Sequence, residues 1–274
     1  FKHFKRFRGD QDIAIEDLTV GQMKDFQSYL IGEGLRMNTI SLYNRELRAV
    51  YNYALDEEII QMDKRPFRKS FTGQEKTRKR AVDGGVVKRL AILSLIDKEM
   101  LGFARDLFLF SIYMQGMPFI DMAYLKKEQV RNGCITYQRR KTNRQLRVKI
   151  HPQAQIIIDR YMVSDPGCPY LFPILYDPEK KTEREYSSAL RVYNKRLDSL
   201  SSLLELDEPL TSYVARHTWA SLARQCGTSD TVISEAMGHS HVGVTTIYLA
   251  SLDIGMVAMA NQRVITSLFR KRIP

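Results

Sequence analysis

The sequence predicts a mainly α-helical protein built in two pieces, the second of which carries a small antiparallel sheet. Apolar residues recur at helical spacing through most of the chain, one short region alternates with period two around an Asn-Gly pair, and a basic stretch containing Pro and Gly separates the two patterned halves. With 274 residues and 44% hydrophobic content, each half can bury a core of its own.

From Thr19, the segment TVGQMKDFQSYL sets Val20, Met23, Gln27 and Leu30 on one helical stripe with Phe26 beside it, and Gly32 and Gly34 mark its end. The stretch TISLYNRELRAVYNYALDEEII repeats Ile40, Tyr43, Leu47, Val50, Tyr51 and Ala54 at helical spacing, with Asn38 or Thr39 placed to cap it. Together these predict a small all-helical module over about residues 10 to 66, closed by the breaker Pro66. Residues 64–80, KRPFRKSFTGQEKTRKR, hold eight basic residues against one acidic residue. Such a run fits a solvated connector, or a strap that closes around a polyanion. The predicted boundaries are 1–70 for the helical module, 71–80 for the basic linker and 81–274 for the second domain.

The second domain opens with Asp83 as a cap and continues helically through VVKRLAIL and MLGFARDLFLFSIYM, both apolar enough to be buried. EQVRNGCITYQRRKTNRQLRVKI predicts three short strands. Asn132-Gly133 is a type I′ turn signal, and Leu146, Val148 and Ile150 alternate with Arg147 and Lys149. Helical patterns resume at QAQIIIDRYM, SSALRVYNKRLDSL, SYVARHTWASLARQ and TVISEAMG, with PGCPYLFP as an irregular connector. A last apolar stripe of Val257, Ala260, Val264 and Leu268 has either its own chain or a neighbouring protomer as its partner.

Composition narrows the partners. The formal net charge of +11 favours a polyanion, because each phosphate neutralised by Lys or Arg releases condensed counterions. Nucleic acid comes first and an anionic membrane surface second. No apolar run approaches the roughly 20 residues that span a bilayer, and FKHFKRFRGD lacks the pattern of a signal peptide, so a soluble, cytoplasmic, nucleoid-associated protein is expected. Cys134, Cys168 and Cys226 are few, odd in number and without metal-ligand spacing, so neither a disulfide framework nor a metal site is expected. The chain begins without Met in basic sequence, which suggests a trimmed protein or an absent upstream segment.

The chemistry concentrates near the C-terminus, in Arg216-His217-Thr218-Trp219-Ala220, Gly238-His239 and Thr245-Thr246-Ile247-Tyr248. Each fragment alone is common, but their order and spacing together are specific. This window resembles the tyrosine recombinase, or phage integrase, family, in which an R-H-T-x-A helix, a G-H turn and a T-T-x-x-Y segment carry the reaction. The likeness extends over nearly the whole chain and implies a helical SAM-like core-binding domain joined to a mixed α+β catalytic domain with a small antiparallel sheet.

By that resemblance Tyr248 is the nucleophile, forming a 3′-phosphotyrosine ester that conserves the energy of the broken DNA bond, with no cofactor and no metal required. Arg216 would bind nonbridging phosphate oxygens with its planar fork, and His239 would donate a hydrogen bond or share in proton transfer. Lys141, in the turn Arg140-Lys141-Thr142-Asn143, matches the family's catalytic Lys, a general acid for the leaving 5′-oxygen. A basic hairpin that simply holds backbone phosphates is the other reading, since Arg139, Arg140, Arg144, Arg147 and Lys149 surround Lys141. Asp121 matches an acidic position that holds the site together, and His217 reads as a structural buttress projecting from another side of its helix.

Two family positions are altered. GMPFID places Pro118 where the first catalytic Arg is expected, leaving Gln115 or Arg105 as candidate replacements. Tyr213 stands in place of a His, and a phenol can donate a hydrogen bond to phosphate but is a poor base near neutral pH. DNA contacts are expected from Lys64, Arg65, Arg68, Lys69, Lys76, Arg78, Lys79 and Arg80, and from Arg139, Arg140 and Arg144. The resemblance further implies double-stranded DNA as partner, a tetramer on DNA from a monomer or weak oligomer when free, and an accessory DNA-bending protein. The expected task is integration, excision or inversion. The rival readings are a type IB topoisomerase-like activity and a catalytically silent DNA-binding relative.

Overall fold

The computed structural model describes residues 2–9, 11–73, 75, 81–177, 179–180, 182–238 and 254–269, the side chains at 183 and 254–256 excepted. The chain divides into two compact units, Phe1–Arg78 and Lys79–Pro274.

In the first unit, helices α2 (Val20–Gly32) and α3 (Met37–Asp56) form where the apolar stripes place them. Thr19 caps α2 reciprocally: its hydroxyl accepts from the Gln22 N–H at 3.2 Å, and Gln22 Oε1 accepts from the Thr19 N–H at 2.9 Å. Met23, Phe26 and Leu30 are buried against Ile40, Tyr51 and Ala54 of α3, whereas Val50 of the expected stripe is exposed. Neither Asn38 nor Thr39 caps α3, which starts at Met37 behind Arg36. The Asn38 amide instead pairs with the Glu75 backbone, donating to its carbonyl at 2.9 Å and accepting from its N–H at 2.7 Å. An added helix, α1 (Lys2–Arg8), sets the Phe4 and Phe7 rings 5.0 and 5.4 Å from that of Phe26.

The basic connector begins later than its composition suggests. Phe67 is buried in the first unit's core. The Phe71 N–H donates to Gln27 Oε1 at 2.7 Å and its carbonyl accepts from Asn44 at 3.0 Å, while the Gly73 carbonyl accepts from the Ser41 hydroxyl at 2.6 Å. Phe71, Gly73 and Glu75 are thus tied to α2 and α3, because their backbone groups need partners and Gln27, Asn38 and the buried Ser41 and Asn44 supply them.

The second unit is a helical body with a sheet on it. Asp83 caps α4 (Gly84–Ile92), accepting from the Gly85 and Val86 N–H groups at 2.6 and 3.1 Å. Helix α5 (Glu99–Tyr113), buried from Asp106 to its end, is the central rod packed by α7 (Pro152–Tyr161), α8 (Tyr186–Leu203) and α9 (Val214–Gln225). A short α6 (Phe119–Ala123) leads into the sheet of β1 (Val130–Arg131), β2 (Cys134–Gln138) and β3 (Gln145–Lys149), antiparallel throughout, with Ile135 opposite Val148 and Tyr137 opposite Leu146. Asn132 and Gly133 both take positive φ, 51° and 69°, as a type I′ turn requires.

A two-stranded ribbon of β4 (Tyr176–Asp177) and β5 (Thr182–Glu183), too short to show in the apolar pattern, precedes α8. Helix α10 (Asp230–Ala236), capped by Ser229, follows α9. Helix α11 (Ile254–Phe269) packs on α4, α9, α10 and β3 of its own chain. A buried polar link fastens it there: Trp219 Nε1 donates to Asn261 at 3.1 Å, and the Asn261 amide donates to the Tyr113 carbonyl at 2.6 Å. Among the described residues no helix is long and apolar enough to cross a membrane.

Candidate active site

Arg216 lies on the buried face of α9 with Ala215, Trp219 and Ala223, only 2% exposed. Its guanidinium donates to the carbonyls of Gly116 at 2.8 Å and Met237 at 2.6 Å, so it is held between the end of α5 and the end of α10. Gly116 makes the approach possible. Its φ is +72°, and a Cβ there would lie 3.1 Å from the Arg216 Cα. Burial brings the Arg216 pKa down to about 10, and the charge of neighbouring Arg139 pushes the same way.

Arg139 does not join the exposed basic face expected of the hairpin. The inward alternation of Ile135 and Tyr137 continues one step past β2, and Arg139 is 6% exposed. It donates to the Gly238 carbonyl at 2.7 Å, and the Thr142 hydroxyl donates to the same oxygen at 3.1 Å. Gly238 has φ +62°, and a Cβ there would meet Leu146 at 3.0 Å and the Arg139 side chain at 3.3 Å. The turn between β2 and β3 is thereby fastened to the residue that precedes His239 in the chain. Lys141 sits exposed in this turn, clear of the interior.

Asp121, on α6, is buried and accepts from the Arg140 N–H at 3.0 Å. Burial raises its pKa, opposed first by that N–H and then by the charges of Arg139, Arg216 and Arg140. Asp121 and the two buried guanidiniums therefore share one neighbourhood. Tyr213 is 61% exposed at the start of α9, with its ring edge-on to His217 at 4.5 Å, and its influence on Arg216 places it at the rim of this cluster. His217 is half-buried and makes that ring contact with Tyr213.

The two candidate replacements for an Arg at Pro118 are engaged elsewhere. Arg105 is ion-paired with Asp106 at 2.7 Å and donates to the Leu93 carbonyl at 2.7 Å. The buried Gln115 amide is directed to the Val257 carbonyl at 3.5 Å. Pro118 itself opens α6. His239 and Tyr248 lie outside the described residues.

A phage integrase SAM-like domain model matches residues 1–71, and a phage integrase family model matches residues 88–253, more than half of the chain. The chain belongs to the phage integrase family. No curated protein sequence matches it. Among solved structures, a lambda integrase dimer bound to a COC′ core site is 14% identical over 96% of this chain and 86% of that one, with a TM-score of 0.65. The Tn1549 transposon integrase in complex with circular intermediate DNA is 13% identical over 94% and 91%, with a TM-score of 0.62. A lambda integrase tetramer bound to a Holliday junction is 16% identical over 90% and 69%, with a TM-score of 0.67.

This integrase is thus a tyrosine recombinase by family, in a branch that carries Pro118 and Tyr213 where an Arg and a His are usual. The expected DNA-contacting side chains fall into three groups. Arg68 and Lys69 are exposed, while Lys64 donates to the Glu16 carbonyl at 2.7 Å and Arg65 faces Asp63 at 3.6 Å. Arg140 is exposed with its guanidinium 3.8 Å over the Tyr124 ring, and Arg144 is ion-paired with Glu235 of α10. Lys76, Arg78, Lys79 and Arg80 lie outside the described residues. The signal for the site's unanticipated parts is modest. The Gly116 and Gly238 carbonyls were hidden in two Gly pairs, whereas the inward turn of Arg139 follows from the period-two pattern of its strand.

Proposed function

We propose that this protein is a site-specific DNA recombinase that cuts and rejoins duplex DNA through a covalent bond between Tyr248 and a 3′-phosphate. The observation that carries the reading is Arg216: the Arg of the R-H-T-x-A segment is a buried guanidinium, fixed by the carbonyls of Gly116 and of Met237, the residue before the G-H pair. In-line attack at phosphorus spreads negative charge over nonbridging oxygens, and a preorganised cation in a low-dielectric site stabilises that charge strongly. The Tyr248 oxygen bonds to phosphorus as the bond to the 5′-oxygen breaks. His239 takes the phenol proton, and Lys141, exposed in the β2–β3 turn, gives its proton to the leaving 5′-oxygen. Tyr213 assists by a hydrogen bond to phosphate, while Asp121 and His217 hold the surroundings. Attack on the ester by a 5′-hydroxyl of another strand then completes exchange.

The basic residues from Lys64 to Arg80, with Arg140 and Arg144, would hold backbone phosphates, and the working form would be a tetramer on DNA inside the cell. A nicked duplex that loses its short 5′ fragment on cleavage traps the adduct. Wild-type protein should give a complex stable to detergent, and Tyr248→Phe should bind equally but give none. Exchange of strands between two duplexes, rather than relaxation of supercoils alone, separates recombinase from topoisomerase.

A further inference from the structure

Arg139 and Arg216 are two guanidiniums buried side by side, and the buried carboxylate whose charge acts on Arg216 is Asp121, while the buried Asp106 is paired with Arg105 and Arg160. They donate to consecutive carbonyls, Gly238 and Met237, so their heads lie against one short piece of backbone. Two cations in a poorly solvated place disfavour each other's charge, and an anion bound between them would relieve that. The Nε of Arg139 is buried and has no hydrogen-bond partner among the described residues, a donor held ready but unmet. The position is also braced. Thr142 shares the Gly238 carbonyl, and the absent Cβ of Gly238 leaves the space that Arg139 occupies.

We infer that Arg139 is the second guanidinium of the scissile-phosphate site, binding a nonbridging oxygen beside Arg216. It would supply from the β2–β3 hairpin the cation that Pro118 cannot. This rests on the recombinase reading above. Because the hairpin also carries Lys141, one rigid turn would then present both the phosphate-binding group and the donor to the leaving oxygen.

The test begins with a core site recovered by capturing detergent-stable adducts from a pool of nicked duplexes of randomised sequence. Cleavage at saturating protein is then compared on the normal phosphodiester and on a methylphosphonate at the mapped scissile position, whose missing charge removes the need for a second cation. For Arg139→Ala the expectation is a loss of at least about a hundredfold on the diester, as for removal of one fixed donor to a developing oxyanion, with DNA affinity little changed and most of the loss lifted on the methylphosphonate. Arg139→Lys, which keeps the charge and the packing but not the fork, should fall between. Undiminished cleavage of the diester by Arg139→Ala overturns the assignment, as do equal losses on both substrates by both variants. Failure of the wild-type protein to form any adduct would instead remove the recombinase reading, and this inference with it.

Discussion

Replacing Gly116 with alanine tests whether the end of α5 is shaped around Arg216. Two effects add. At φ +72° an L residue is strained by about 1–2 kcal/mol. The new Cβ would also stand 3.1 and 3.2 Å from the Arg216 Cα and Cγ, and because the first of these is backbone, α9 must shift, at a further cost of about 1–3 kcal/mol. Gly133 is the control, with φ +69° and no atom within 4 Å of its Cβ position, so only the first effect operates there. The sole tryptophan, Trp219, is buried one turn along α9 from Arg216, and its fluorescence in urea reports on the second unit alone. With a slope of about 2 kcal/mol per molar, the midpoint should fall by about 1–2.5 M for Gly116→Ala and by no more than about 1 M for Gly133→Ala. Equal shifts would refute the close approach.

Further outcomes follow from the same contacts. Asn261→Leu should destabilise the second unit by about 2–3 kcal/mol in urea, since it strands both the Trp219 N–H and the Tyr113 carbonyl; a loss under about 0.5 kcal/mol would contradict the link between α11 and α5. Because burial raises the Asp121 pKa in the folded state, its contribution to stability is full below its ordinary value of 3.8 and is lost as pH rises through the raised one. Urea midpoints of Asp121→Asn and wild type should therefore separate in the variant's favour from about pH 4 to neutrality, and a gap independent of pH would count against the shift. Lys141→Ala should slow cleavage of ordinary DNA but spare a substrate whose leaving oxygen is sulfur, whereas equal losses on both would mean phosphate binding instead.

Much of the architecture is legible in the sequence because local signals agree with the tertiary answer. Asp83 spells a cap and Asn132-Gly133 a type I′ turn, and each forms as written. What was hidden depends on contacts distant in sequence. Asn38 reads as a helix cap but meets Glu75 across 37 residues, and the basic connector looks free until Ser41 and Asn44 are seen to bind it. Arg139 was masked differently. In a run of cations a side chain reads as surface, although the alternation of Ile135 and Tyr137 already pointed it inward. The site is legible as motif spacing, but the carbonyls of Gly116, Met237 and Gly238 that hold its cations leave no side-chain signature.

The most direct measurement is to digest the covalent complex formed on a nicked core site and find, by mass spectrometry, which residue carries the nucleotide. The account predicts a phosphodiester link from the Tyr248 oxygen to a DNA 3′ end. A link through another side chain, or to a 5′ end, would contradict it.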